Sequence, residues 1–144
     1  MKCLNIGIII RFLIACICVL MVLPGIAFAE ERLSIKSDIA NMRSGPDSKK
    51  FDVLWQVEKY HPVIVIEKQG NWYKIKDFEN DVAWLHKSLL GNIKSVITIK
   101  DKCNVRSQAS TKSQVLFTVE KGVPFKVLDQ QGNWIKIEHA DGDI

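Results

Sequence analysis

Gly70-Asn71-Trp72-Tyr73-Lys74-Ile75 returns 62 positions later as Gly132-Asn133-Trp134-Ile135-Lys136-Ile137. In each copy a Gly-Asn turn leads into a run whose alternation has the period of a strand, not of a helix. Tyr73 and Ile75 fall on one face, with Trp72, Lys74 and Lys76 on the other; Ile135 and Ile137 face inward in the second copy, and Trp134, Lys136 and Glu138 outward. A tryptophan therefore shares the lysine face of a strand twice over.

The repetition extends outward from this stretch. Val57-Glu58-Lys59 matches Val119-Glu120-Lys121, Pro62 matches Pro124, and Val53-Leu54-Trp55 matches Val115-Leu116-Phe117. Further upstream, at an offset of 63, Asn41-Met42-Arg43-Ser44 matches Asn104-Val105-Arg106-Ser107. Self-similarity at this period marks two tandem units of one supersecondary pattern, and Gly91-Asn92 supplies turn chemistry at the join. Val63-Ile64-Val65-Ile66 is β-branched throughout, bounded by Pro62 and the Gln69-Gly70-Asn71 turn. Downstream of the leader no amphipathic run has the length of a helix, so the pattern predicts an all-β chain of two small barrels.

The leader is a different kind of sequence. Lys2 and Arg11 precede an almost continuously apolar stretch, Pro24 and Gly25 break it, and Ala27-Phe28-Ala29 ends it with small residues one apart. This is the layout of a secretory signal peptide, with cleavage expected after Ala29. Two other readings stay open. Phe12 to Ala29 is 18 residues, close to the roughly 20 that span a bilayer as an uncleaved anchor. Leu13-Ile14-Ala15-Cys16 has the form of a lipidation motif. The expected organisation is a leader over 1–29, a first unit over 30–91 and a second over 92–144. Cys3, Cys16 and Cys18 lie in the leader, leaving Cys103 alone after cleavage and no intramolecular disulfide.

Composition narrows the function classes. The chain is 47% hydrophobic and 25% charged, and without the leader it carries 18 Lys plus Arg against 16 Asp plus Glu. That balance lacks the concentrated basic face of a nucleic-acid protein. About 115 residues fold into one modest core or two very small ones, not into a large enzyme domain.

The Asn-x-Arg-Ser, Gly-Asn-Trp-x-Lys-Ile and Val82-Ala83-Trp84-Leu85-His86-Lys87-Ser88-Leu89-Leu90 stretches resemble bacterial SH3-like domains. The resemblance covers essentially all of the chain after the leader. It implies tandem five- or six-stranded barrels of the kind exported beside cell-wall hydrolases or used as wall-targeting or peptide-binding modules. His86 stands where the polyproline-binding eukaryotic pattern has Pro, Leu89 where it has Tyr, and only Trp72 and Trp134 correspond to the groove tryptophan. Ile144 aligns with Val82, so the second unit has no counterpart of Ala83 to Leu90. The expectation is a chain truncated relative to its natural product, or one whose closing strand comes from a partner.

Candidate ligand-binding residues follow. Trp72, Trp84 and Trp134 offer apolar area with one polar handle each; Asn41 with Arg43, and Asn104 with Arg106, offer donor forks for carboxylates. For the tryptophans the alternative is packing between the units, and for the Asn/Arg pairs it is turn and loop support. Cys103 with His61, His86 and His139 is the one combination suggesting nucleophilic catalysis. The repeat speaks against it: Cys103 aligns with Ala40, His139 with Asp77 and His61 with Val123, while His86 has no counterpart. The spacing fits no metal site, and no phosphate-cradling Gly-rich loop is present. The sequence therefore predicts no catalytic residues, no metal and no cofactor. The expected protein is a non-catalytic binding module, periplasmic or extracellular, with membrane contact only through the leader before cleavage. The family resemblance implies peptidoglycan or its peptide stems as ligand. The alternative is a scaffold docking an envelope protein through the same tryptophan faces.

Overall fold

A computed structural model describes residues 30–142. The leader and its cleavage, anchoring or lipidation, and Ile144, lie outside the described residues. Twelve strands follow in order: β1 (Glu31–Ile35), β2 (Ile39–Arg43), β3 (Val53–Glu58), β4 (Pro62–Gln69), β5 (Trp72–Lys76), β6 (Val82–His86), β7 (Leu90–Gly91), β8 (Ser95–Ile97), β9 (Cys103–Arg106), β10 (Val115–Val119), β11 (Pro124–Gln131) and β12 (Trp134–Glu138). A 3-10 turn at Lys87–Leu89 separates β6 from β7, and the described residues contain no α-helix.

The repeat seen in sequence is also a repeat of backbone geometry. Left-handed φ angles occur at Tyr60, Gly70 and Asn80, and again 62 residues on at Gly122, Gly132 and Gly142. The strands bulge at equivalent places: Leu54 is skipped in the β2–β3 ladder as Leu116 is in β9–β10, and Ile66 in β4–β5 as Leu128 is in β11–β12. Each bulge adds local twist and bends its strand. It also turns its apolar residue outward, so that all four are exposed.

The two units differ in how these strands assemble. Strands β1 to β7 form one antiparallel sheet in the order β3-β2-β6-β5-β4-β1-β7. β6 is the joint: it pairs along its whole length with β5, from Trp72↔His86 to Lys76↔Val82, and meets β2 at Arg43↔Trp84. β8 to β12 instead form two separate sheets, β10-β9 and β12-β11-β8. Among the described residues no strand joins β9 to β12. The sequence predicted two small SH3-like units in tandem, the second without its closing strand, and the structure has this all-β tandem with sheets that are not closed into barrels. Even the seven-stranded sheet stays open in its pairing, because β3 at one end and the two-residue β7 at the other are not hydrogen-bonded to each other.

Burial follows pairing. Ile35, Ala40, Met42, Val57, Val63, Ile75, Ala83, Leu85 and Leu90 form the core of the first sheet, with Trp55 and Tyr73 packed against it. In the second unit, among the described residues, burial is confined to Phe125, the counterpart of Val63, and its neighbour Pro124. Ile75 is fully buried, whereas its counterpart Ile137 is only half-buried. Ile135, expected to face inward, remains 41% exposed. Alternation gives a side chain its direction, but burial needs a neighbouring strand to cover it.

The units touch through polar and aromatic contacts. Ser34 donates from Oγ to the Ile93 carbonyl at 2.8 Å and lies 2.6 Å from Ser95 Oγ, bringing β1 to β8. Tyr60 donates its hydroxyl to Glu138 Oε1 at 3.1 Å, and Lys121 pairs with Glu79 at 2.7 Å while its ammonium lies over the Phe78 ring.

Candidate functional site

The outer face of the first sheet gathers the residues singled out by sequence. On β5, Ile75 points into the core and Trp72, Lys74 and Lys76 are half-buried on the opposite side. On β6, Ala83 and Leu85 point in, which turns Trp84 and His86 outward. Register then sets the neighbours. Arg43 lies opposite Trp84 on one side, Lys74 opposite Trp84 on the other, and Glu67 opposite Lys74 beyond that. Lys74 Nζ lies 5.8 Å from the Trp84 ring centre and pairs with Glu67 at 3.5 Å. One register step along, Trp72 meets His86 edge to face, ring centres 5.4 Å apart. His86 Nδ1 is 2.7 Å from Ser88 Oγ, which fixes the ring at the entrance to the 3-10 turn. The result is a row of alternating cations and indoles across three strands.

The asparagines and arginines are held by their own loops. Arg43 Nη1 donates to the Phe51 carbonyl at 3.0 Å, and Arg106 Nη1 to the Ser113 carbonyl at 2.8 Å. Asn41 Oδ1 accepts from Gln56 Nε2 at 2.7 Å, and Asn104 Oδ1 from Thr118 Oγ1 at 3.0 Å. In both units the Arg thus braces the loop between two strands, and the Asn bonds across the hairpin. Each guanidinium keeps further donors beyond that one bond.

In the second unit Asn104, Arg106 and Trp134 line a common groove of about 340 Å³ between β9 and β12. Val105, Leu116, Ile135 and Ile137 supply its apolar wall and Lys136 part of its rim. The groove occupies the position, between equivalent strands, that β6 occupies in the first unit. Outward Trp134 and Lys136 repeat Trp72 and Lys74, with no counterpart of Trp84 among the described residues.

Lys74, Lys136 and His86 belong with the tryptophans, although sequence reading did not count them as site residues. The signal for the lysines was present in the alternation that put them beside Trp72 and Trp134. For His86 it lay in the β5–β6 register, which a sequence does not state. The remaining histidines and the cysteine have other neighbours. His61 is buried edge-on to Phe78, and that burial pushes its imidazole below the ordinary value against the opposing pull of Asp77. His139 stacks edge-on to Phe125 and pairs with Asp141. Cys103 sits half-buried on β9 opposite Val119.

Residues 36–91 match one family model and residues 101–144 another, both described as a bacterial SH3 domain. The chain is similar to YrvJ of Bacillus subtilis (strain 168), named as a candidate N-acetylmuramoyl-L-alanine amidase, with 23% identity over 122 residues. That match takes in 77% of this chain and 23% of YrvJ, so the chain spans under a quarter of that relative's length. Solved structures of NlpC1 and NlpC2 from Trichomonas vaginalis are similar at 12% identity, with TM-scores of 0.39 and 0.38. Each likeness takes in 79% of this chain, with 42% of NlpC1 and 44% of NlpC2.

Proposed function

Because the chain belongs to the bacterial SH3 domain family, we propose that it is an exported, non-catalytic binding module of the cell envelope. Its ligand in this reading is peptidoglycan, through the peptide stems, and it works outside the membrane, periplasmic or extracellular, after cleavage following Ala29. Residues 30–91 and 92–144 act as its two binding units.

The observation that carries the reading is the row Arg43, Trp84, Lys74 with Trp72 and His86 beside it. A short peptide bearing free carboxylates matches such a surface: indole faces take its aliphatic parts, and the cations take its charge. The relative named for N-acetylmuramoyl-L-alanine supports a wall substrate. As the match takes in under a quarter of that relative, the amidase activity its name denotes is not carried over to this chain in this reading. Repetition of the module raises affinity for a polymer through effective concentration.

Co-sedimentation of the mature protein with purified sacculi tests this, beside Trp72→Ala/Trp84→Ala checked for retained fold by circular dichroism. The expected result is sedimentation of the parent and a loss of roughly thirtyfold in affinity in the double variant, as each of the two aromatic contacts is worth about 1 kcal/mol. Equal sedimentation of both would remove the outer face from the account. Sedimentation of neither would transfer the tryptophans to a protein partner.

A further inference from the structure

A chain of contacts crosses from one unit to the other beginning at His61. Its imidazole is 6% exposed and meets the Phe78 ring edge to face, ring centres 5.8 Å apart. Phe78 also carries the turn between β10 and β11 of the second unit. The Lys121 ammonium lies 5.8 Å from its ring centre, and a Cβ built on Gly122 would come within 3.8 Å of the same ring. Glu79, next along from Phe78, pairs with Lys121 at 2.7 Å, and Tyr60, next to His61, donates to Glu138 at 3.1 Å. The residues around the imidazole are thus the residues that join the units.

This site accepts a neutral ring better than a charged one. Nε2 of His61 is buried and has no hydrogen-bond partner among the described residues, whereas a protonated ring has two N–H donors to satisfy. Three carboxylates face it, Glu58 from β3 and Asp77 and Glu79 from the loop between β5 and β6. Asp77 Oδ1 already accepts from the Glu79 and Asp81 N–H groups, and Glu79 is held by Lys121. The cations on the surrounding elements are Lys59, paired with Asp38, and Lys121, which shares Phe78 with His61 and repels an imidazolium. Desolvation outweighs the carboxylates and holds the imidazole below its ordinary value of 6.5. The backbone beside the ring is fixed to β1, since Ile35 N–H donates to the His61 carbonyl at 3.0 Å and Tyr60 N–H to the Ile35 carbonyl at 2.8 Å. The 77–81 loop closes on itself, Asp77 N–H to the Asp81 carbonyl and Asn80 N–H to the Asp77 carbonyl, so it moves as one piece.

We propose that His61 is a proton-operated latch on the joint: neutral, it seats the Phe78 loop against the Lys121–Gly122 turn, and protonated, it unseats that loop and frees the two units to reorient. The proton binds more readily once the ring is uncovered, so acid favours the open joint. One coupled proton raises the open-to-closed ratio by up to about tenfold for each pH unit below about 6.5. The latch concerns how the units are held and not what they bind, so its failure would leave the wall reading standing.

The test is 15N relaxation of the labelled mature protein at about pH 7.5 and about pH 5, the lower value lying above the ordinary carboxylate range, with the His61 imidazole followed through the same titration. The expected result is one tumbling time for both units at the higher pH and two separate times at the lower. Both units stay folded, and the change shares its midpoint with His61. His61→Val, which places at this position the residue its counterpart Val123 has, is expected to tumble as one body at both values. The proposal is overturned if the parent tumbles as one body throughout or as two bodies throughout. It is overturned equally if the first unit unfolds in place of the joint opening, or if the change survives in His61→Val, which would assign it to His86, His139 or a carboxylate. Should His61→Val fail to fold, the parent decides alone: a midpoint separate from that of His61 overturns the latch.

Discussion

Tyr73 and Ile135 occupy the same place in a repeated strand, yet one packs on a core and the other is 41% exposed. The same contrast runs through Ile75 and Ile137, and through Met42 and Val105, buried in the first unit and half-buried in the second. Local instructions are alike in both: the turns, the bulges and the alternation recur. Among the described residues the second unit lacks counterparts of two strands, β6 and β7, and β6 is the one that joins sheets. β6 merges two small sheets into one of seven strands, and a core appears where they merge. Local sequence thus makes hairpins in either unit, and a non-local pairing makes one of them a packed fold.

The largest effect should come from truncating equivalent residues. Ile75→Ala is expected to destabilise the first unit by about 2–5 kcal/mol, as for a fully buried aliphatic side chain, and Ile137→Ala to cost well under half of that. Urea unfolding followed separately in each unit checks this. Equal costs would break the contrast.

Next come the turns, which should behave identically. Gly70 and Gly132 have φ near +59° and +57°, and a Cβ added to either meets nothing within 4 Å. Gly70→Ala and Gly132→Ala should each cost about 1–2 kcal/mol through backbone strain alone. A large difference between them in thermal unfolding would show that the turns are not equivalent.

His61 sharpens the comparison through pH, because its counterpart is Val123. Burial holds the folded imidazole below the ordinary value of 6.5, with Asp77, Glu58 and Glu79 pulling the other way. The unfolded chain therefore binds the proton more readily. The stabilising contribution is complete above about pH 6.5 and is lost as pH falls through that value towards the lower folded one. Each unit of lowering corresponds to about 1.4 kcal/mol. The melting temperature should drop between about pH 7.5 and 5, and His61→Val should flatten that acid limb.

The smallest effect is expected at the contact between the units. Tyr60→Phe removes the hydrogen bond to Glu138 and should cost about 0.5–1.5 kcal/mol, read as a lower midpoint in urea. Tyr60 also holds a left-handed φ of 70° at the position where the second unit has Gly122. Tyr60→Gly combines relief of that strain with loss of the bond, so it should be milder than the loss of a buried tyrosine otherwise implies.

Much of this was legible in the sequence because it is local. The repeat, the β-branched run of β4, the Gly-Asn turns and the outward tryptophans each follow from spacing within a few residues. What escaped was set by distance along the chain. Arg43 opposite Trp84, and hence the row of cations and indoles, depends on a pairing between residues 41 positions apart. The open second unit was legible from the missing counterpart of Ala83 to Leu90, whereas the unpaired ends β3 and β7 of the first sheet were not, because a pattern gives strands and not their closure. For Arg43 and Arg106 the sequence favoured loop support over a ligand fork, and the bonds to the Phe51 and Ser113 carbonyls show which loop each braces. The Ser34–Ser95 and Tyr60–Glu138 contacts depend on how two units sit together, for which neither unit carries a sequence signal.

The decisive measurement is residue-resolved amide hydrogen exchange on the intact chain without added ligand. If β6 is what separates the two units, amides of β4, β5 and β6 should exchange only through global unfolding. Those of β9 and β12 that face the groove should exchange orders of magnitude faster through local opening. Equal protection of β5 and β12 would contradict the account.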